Sequence, residues 1–207
     1  MALVRLVLFT RDPVPGTAKT RLIPALGGAG AAKLHSHLTE RTVSVLRDAQ
    51  QQQDGLAIEI HTTGGDAASF ESWLGSDLQF VQQSDGDLTA RLLGALDPAP
   101  VIFFGADTPD LNVDHVQAAI LALQSSDVVI GPADDGGYYL IGIAAAYRYL
   151  FEDMRWSTEH VTPDTLARAQ AHGLRVAMLD TLHDCDRPSD LARWPQLLAR
   201  LQLEIIA

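Results

Sequence analysis

The chain has 207 residues, 47% of them hydrophobic and 20% charged, a balance that supports a packed core and excludes a disordered chain. Its formal net charge of −11, from 26 acids against 15 lysines and arginines, would repel a polyanion, so nucleic acid is not expected as a partner. No apolar run reaches the roughly 18 to 20 residues needed to cross a bilayer, and residues 1–10, followed at once by Arg11 and Asp12, are too short for a signal peptide. The single Cys185 cannot form an internal disulfide. The expectation is a cytoplasmic protein, one domain over residues 1–207, with no membrane association. Residues 1–33 nevertheless hold Arg5, Arg11, Lys19, Arg21 and Lys33 against Asp12 alone, a local cationic region that suits a small anionic ligand.

Residues 2–10, ALVRLVLFT, predict a first strand. In Arg11-Asp12-Pro13-Val14-Pro15-Gly16-Thr17-Ala18-Lys19-Thr20-Arg21, two prolines and a glycine exclude helix and make a loop. Three cations around Gly16 suit phosphate, although a solvated connector would carry such charges too. It is no Walker A loop, because Pro13 and Ala18 stand where that pattern needs glycine. Nor is Gly28-Ala29-Gly30 a dinucleotide fingerprint, since Lys33 takes the place of the third glycine. Over 29–53, Leu34, Leu38, Val45, Leu46 and Ala49 recur at helical spacing. His35 and His37 are two residues apart, on different helix faces, and are discounted as metal ligands. Residues 56–63, LAIEIHTT, alternate as a second strand; 69–74 predicts a short helix and 78–81 a weaker third strand.

A polar turn, Gln83-Ser84-Asp85-Gly86-Asp87, then leads into a helix with Leu88, Leu92, Leu93 and Leu96 facing inward. Asp87 suits its N-cap and stands one turn before Arg91, close enough to pair. Val101-Ile102-Phe103-Phe104, bounded by Pro100 and Gly105, reads as a strand buried on both faces, as in a parallel sheet. It runs into Asp107. Ligands of open α/β sheets bind beyond the strands' carboxyl ends, so Asp107 is placed to hold a metal ion or a hydroxyl. Capping the next helix, over 113–124, is the alternative, for which Asp110 is better placed.

Residues 127–142 read as strand, turn and strand, with Asp135-Gly136 a hairpin signal in which both residues adopt positive φ. The hairpin leaves Asp134, Gly137 and the Tyr138-Tyr139 pair unexplained, and two glycines also let a ligand approach the backbone. Trp156 suits either core or stacking on a flat ligand. Thr162-Pro163 reads as N-cap and N1 of a helix ending at Gly173. The last strand, 175–182, runs into His183-Asp184-Cys185-Asp186. Asp186 or Ser189 suits the cap of a final helix with Leu191, Trp194, Leu198 and Leu201 as its apolar stripe, whereas capping does not account for Asp184. Two strands ending in acids and a cationic loop after a third together suit Mg²⁺ and a nucleotide, because Mg²⁺ is held by few carboxylates plus substrate phosphates.

These segments resemble the bacterial DUF2064 family, related to nucleotide-diphospho-sugar transferases and to 2-phospholactate guanylyltransferase. The resemblance rests on Pro13-Val14-Pro15-Gly16 with Lys19-Thr20-Arg21-Leu22, Gln83 with Gly86-Asp87-Leu88 and Arg91, Gly105-Ala106-Asp107-Thr108-Pro109-Asp110-Leu111, Gly131 through Gly142, Trp156-Ser157-Thr158, and Asp184-Cys185-Asp186 with Pro188 and Asp190-Leu191. Arg11 stands where the family usually has Lys, and Cys185 where Val is usual. The resemblance implies a three-layer α/β/α fold with a mixed seven-stranded sheet in order 3214657, strand 6 antiparallel. It also implies metal ligation, by Mg²⁺ or alternatively Mn²⁺, at Asp107, Asp184 and Asp186, with Lys19 and Arg21 on phosphates. Arg11, Gly16, Gln83, Asp87 and Arg91 are expected to complete the nucleotide site, and Asp134, Asp135, Gly136, Gly137 and Trp156 to face the acceptor.

The expected activity is nucleotidyl transfer from a nucleoside triphosphate to a small anionic acceptor, with Lys19, Arg21 and Asp107 at the reacting centre. Such chemistry needs positioning and charge neutralisation more than a general base. Glycosyl transfer from a nucleotide-diphospho-sugar uses the same parts, and a protein that binds nucleotide without turnover is a third reading.

Overall fold

The computed structural model describes residues 3–199. Its strands are β1 (Val4–Arg11), β2 (Leu56–Thr63), β3 (Gln79–Gln82), β4 (Val101–Phe104), β5 (Val128–Pro132), β6 (Tyr138–Ile143) and β7 (Val176–Met178). They form one sheet in the order β3-β2-β1-β4-β6-β5-β7, with β6 antiparallel to β4 and β5 and every other neighbouring pair parallel. The helices are α1 (Ile23–Gln52), α2 (Ala67–Leu74), α3 (Leu88–Ala95), α4 (Val113–Leu123) and α5 (Val161–Ala171).

Successive residues of a strand face opposite sides of a sheet, so two cores share the same strands. Leu6, Leu8, Ile102 and Phe104 pack with residues of α1, α2 and α4. Val7, Val101 and Phe103 pack on the other side with Leu92 and Ala95 of α3 and Ala169 of α5. These are the three layers expected, and all four residues of β4 are buried. A third cluster joins Leu22, Leu34 and Leu38 to Cys185, Leu191 and Trp194, and so fastens the last loop to the start of α1. Among the described residues no helix is long and apolar enough to cross a membrane.

Several local details differ from the sequence reading. The long helix starts earlier, at Ile23, and kinks at Gly27 (φ 69°, ψ 169°). Leu88, expected to face inward, is 38% exposed. Asn112 caps α4, accepting from the backbone N–H of Asp114 and His115, because Asp110 instead accepts from the Trp194 indole. α5 starts at Val161, with His160 rather than Thr162 in the capping position. The last strand shrinks to Val176–Met178, with one isolated bridge, Ala133 to Leu182, beyond it. Ser189 makes no side-chain cap, and Asp190, not Asp186, accepts the free N–H groups of the final turn. Leu201 lies outside the described residues.

Arg5 also leaves the cationic set. It is buried in a bidentate pair with Glu59, 2.7 and 2.6 Å, and donates to the carbonyls of Ala95 and Pro98. That bond and charge from Arg5 are the main reason the Glu59 carboxyl is held below its ordinary pKa, against the opposing effect of burial.

Candidate functional site

The parallel strands β1, β2 and β4 end at one edge of the sheet, where their loops enclose a cleft of about 390 Å³. Arg11, Thr17, Lys19 and Arg21 line it from the β1 loop, His35 from α1, Gln83, Leu88 and Arg91 from the β3–α3 region, Asp107 from β4 and Asp186 from the last loop. The segments picked out in the sequence therefore converge.

At the centre, the buried Lys19 ammonium lies 2.7 Å from Asp107 Oδ1 and 3.7 Å from Asp186 Oδ1. It also donates to the Cys185 carbonyl at 2.7 Å. Lys19 reaches this position from a left-handed backbone (φ 48°, ψ 45°), a conformation costly to a residue with a Cβ and typical of segments whose geometry is fixed by a site. Desolvation alone would lower the Lys19 pKa, but Asp107 outweighs it and the net shift is upward. Desolvation likewise opposes ionisation of Asp107, and the charge and hydrogen bond of Lys19 bring its pKa below the usual value. Arg21 closes the cluster by bonding Asp186.

The last loop is clamped to the first acid: the Cys185 N–H donates to the Asp107 carbonyl at 2.8 Å, and Thr108 Oγ1 donates to Asp184 Oδ1 at 2.7 Å. Burial, opposed by the Thr108 bond and reinforced by Asp107 and Asp135, pushes the Asp184 carboxyl up to about 7. Burial also raises the Cys185 thiol to about 11, so this cysteine is a core residue rather than a nucleophile.

Other expected residues stand further out. Asp87 caps α3 by accepting from Ala90 N–H at 3.0 Å and, among the described residues, does not pair with Arg91. Gly16 turns the β1 loop at φ 89°. Asp134 pairs with His183 at 2.5 Å, with Arg193 at 4.0 Å. Asp135 accepts from Gly137 N–H at 2.8 Å; it is Gly136 alone, not both residues of the turn, that takes positive φ, at 91°. A Cβ on Gly136 would lie 2.4 Å from the Glu159 Cα, and Thr162 donates from its N–H to the Gly136 carbonyl and from its hydroxyl to that of Gly137. The acid-glycine turn is thus packed against the start of α5. Trp156 donates its indole N–H to Thr89 Oγ1 at 2.8 Å and meets Tyr138 edge-on. It does not line the cleft.

Two residues at or beside the cleft have roles that the sequence reading did not give them. His35 Nε2 lies 3.1 Å from the Arg11 carbonyl and 3.3 Å from Thr10 Oγ1; since a carbonyl only accepts, Nε2 carries the hydrogen. The ring is buried, which lowers its pKa, and it fixes the start of the β1 loop. Thr108 orients Asp184. A buried polar stripe at helical spacing, His35, Thr39 and Thr42, is the signal that would have found the first.

Among the described residues no three His, Cys, Asp or Glu side chains gather as a ready metal cage. Mg²⁺ rarely uses one: it takes one or two carboxylates and completes its shell with water and phosphate. The donor set suits such a hard cation, and the Lys19 ammonium already occupies a cation's position beside Asp107 and Asp186.

A mixed seven-stranded sheet of this order, with a charged cleft at its parallel edge, defines the fold class of the nucleotide-diphospho-sugar transferases and nucleotidyltransferases. Within that class the chain belongs to the family described as "Uncharacterized protein conserved in bacteria (DUF2064)", whose model matches residues 43–158. A protein from Desulfovibrio desulfuricans G20, provisionally described as a nucleotide-diphospho-sugar transferase, is 28% identical and superposes with a TM-score of 0.82 over 97% of this chain and 99% of its own. A nucleotidyl transferase from Methanothermobacter thermautotroptrophicus is 19% identical (TM-score 0.60; 96% and 99% covered). Rv0371c from Mycobacterium tuberculosis H37Rv, in complex with manganese, is 14% identical (TM-score 0.52; 93% and 97% covered). The latter two share the fold alone. No curated protein matches the sequence.

Proposed function

We propose that the protein is a metal-dependent nucleotidyltransferase. An oxygen of a small anionic acceptor attacks the α-phosphorus of a nucleoside triphosphate, the bond from that phosphorus to the bridging oxygen of the β-phosphate breaks, and pyrophosphate leaves. The observation that carries this reading is the alternation of cations and carboxylates, Arg21–Asp186–Lys19–Asp107, at the strands' carboxyl edge, where open α/β sheets bind ligands.

In this reading Lys19, Arg21 and Arg11 bind the phosphates, and Lys19 neutralises charge as pyrophosphate departs. Asp107, with Asp184 and Asp186, would hold Mg²⁺ or Mn²⁺, which when bound supplies further charge neutralisation on phosphate oxygens. Gln83 and Arg91 face the nucleoside, while Asp87 holds α3 and Gly16 the β1 loop in place. Asp134, Asp135, Gly136, Gly137 and Trp156 belong to the acceptor side, Trp156 and Gly136 by shaping its loops. The preference for Asp107 as a ligand fits its half-exposed side chain, more open to the cleft than the Lys19 beside it.

Glycosyl transfer is the second reading, favoured by the description of the D. desulfuricans relative. One assay separates them. The protein is incubated with Mg²⁺, a panel of phosphorylated acceptors and either nucleoside triphosphates or nucleotide sugars. Pyrophosphate release supports nucleotidyl transfer, release of a nucleoside diphosphate supports glycosyl transfer, and tight binding without product identifies a non-catalytic nucleotide binder.

A further inference from the structure

Both hydrogens of the Gln83 amide are engaged inside the protein. Nε2 donates to the Thr10 carbonyl at 2.8 Å and to the His61 carbonyl at 2.7 Å. These two oxygens belong to β1 and β2 and only accept, so turning the amide over would set oxygen against oxygen. Gln83 is buried and lines the cleft, and no described residue donates to its Oε1. It offers a ligand an acceptor and never a donor.

Arg91, on α3, offers the reverse. Its Nε is buried without a hydrogen-bond partner, and among the described residues its guanidinium forms no ion pair. A guanidinium has donors only, and the edge formed by its two Nη groups is a fork made for two adjacent acceptors. Arg91 lines the cleft, and among the described residues its Nη groups have no acceptor, so that end of the guanidinium is open to a partner from outside the chain. Leu88, unexpectedly exposed, lines the same wall and supplies an apolar surface of the kind a flat ring covers. The phosphate-binding cations Arg11, Lys19 and Arg21 stand on a different element, the β1 loop.

We infer that this wall, Gln83–Leu88–Arg91, reads the nucleobase, and that it selects a base carrying two adjacent acceptors beside an N–H donor. Guanine has that pattern in N7 and O6 beside N1–H, and cytosine in O2 and N3 beside its amino group. Adenine has no adjacent pair of acceptors, and in uracil N3–H separates the two carbonyls. The inference rests on the nucleotide reading given above and adds to it the class of base.

Calorimetric titration with GTP, CTP, ATP and UTP in Mg²⁺ tests it, on the wild type and on Arg91→Lys, which keeps the charge and loses the fork. The wild type should bind GTP or CTP roughly tenfold or more tightly than ATP and UTP, the scale of one bidentate base contact, and whichever is bound names the base. Arg91→Lys should erase that preference while ATP and UTP bind as before. Equal wild-type affinity for all four, or a preference for ATP or UTP, overturns the inference and leaves the nucleotide reading standing. An equal loss for all four in Arg91→Lys puts Arg91 on phosphate and also overturns it. No binding of any triphosphate removes both readings.

Discussion

Lys19 and Asp107 hold each other at 2.7 Å, although phosphate binding is proposed for one and metal binding for the other. Under that proposal ligand binding would be an exchange of partners: Asp107 would hold the metal ion in place of the ammonium, leaving Lys19 to pair with a phosphate. The Cys185 carbonyl, the other short contact of Lys19, keeps the side chain near the cleft throughout.

Replacing Asp107 with Asn should abolish the dependence of nucleotide binding on metal, because the amide lacks the charge Mg²⁺ needs. Lys19 is freed in the same step, so triphosphate affinity in chelator should equal or exceed that of the wild type. Wild-type protein at a ligand concentration a hundredfold above Kd gains about 2.7 kcal/mol. Thermal melts with and without EDTA read both effects, and an undiminished response to Mg²⁺ in the variant would exclude Asp107 as a ligand.

Lys19→Ala and Arg21→Ala should weaken binding of a nucleoside triphosphate by about tenfold or more and leave the nucleoside almost unaffected, since a hydrogen bond to a charged group contributes about 1.5–3 kcal/mol. Arg21 is largely exposed and Lys19 buried. Raising the salt concentration should therefore erode the Arg21 contribution faster. Titrations of the two ligands at two ionic strengths would reveal an equal loss for both, the result that removes the phosphate assignment.

Asp184 predicts a pH dependence in the metal-free protein. Its carboxyl titrates in the fold at about 7 against an ordinary value of 3.8, so the fold favours the protonated form. That contribution is complete below about pH 4 and is lost as pH rises towards 7, at most about 4 kcal/mol for a shift of this size. Asp184→Asn keeps an oxygen for Thr108 and never ionises. In chelator the wild type should lose stability between pH 4 and 7 relative to the variant, and urea unfolding across that range measures it. Parallel curves would mean that Asp184 ionises at no cost.

Gly136→Ala tests the packing of the acid-glycine turn. The new methyl would meet the Glu159 backbone at 2.4 Å from a φ of 91°, two penalties that together cost about 2–4 kcal/mol. A Tm within a degree or two of wild type would show that the loop around Glu159 yields freely.

The buried strands and the candidate edge were legible because such strands are written as unbroken apolar runs, as in Val101 to Phe104, and acids directly after such runs are conspicuous; the strand order came from the family resemblance, not from those runs. Individual contacts were not. Arg5 counted as a surface cation until the register of β1 on β2 brought it to Glu59. Asp110 lost its capping role to Asn112 because Trp194, from the far end of the chain, engages it. Leu88 fits a helical apolar stripe, yet it belongs to the helix's first turn, where the cleft rather than the core is the neighbour. Each of these depends on a partner remote in sequence, which periodicity cannot register.

Strand β6, running against its neighbours between β4 and β5, acts as a spacer. Adjacent strands lie about 4.8 Å apart, so inserting one sets the loop of Asp107 and the loop of Asp134 roughly 10 Å from each other. The loop after β7 bridges that gap: its Cys185 N–H donates to the Asp107 carbonyl, and its Leu182 carbonyl accepts from the Asp134 N–H. One segment thus splints both halves of the rim, with His183 on Asp134 and Asp184 on Thr108, so a change in the loop on either side is transmitted to the other.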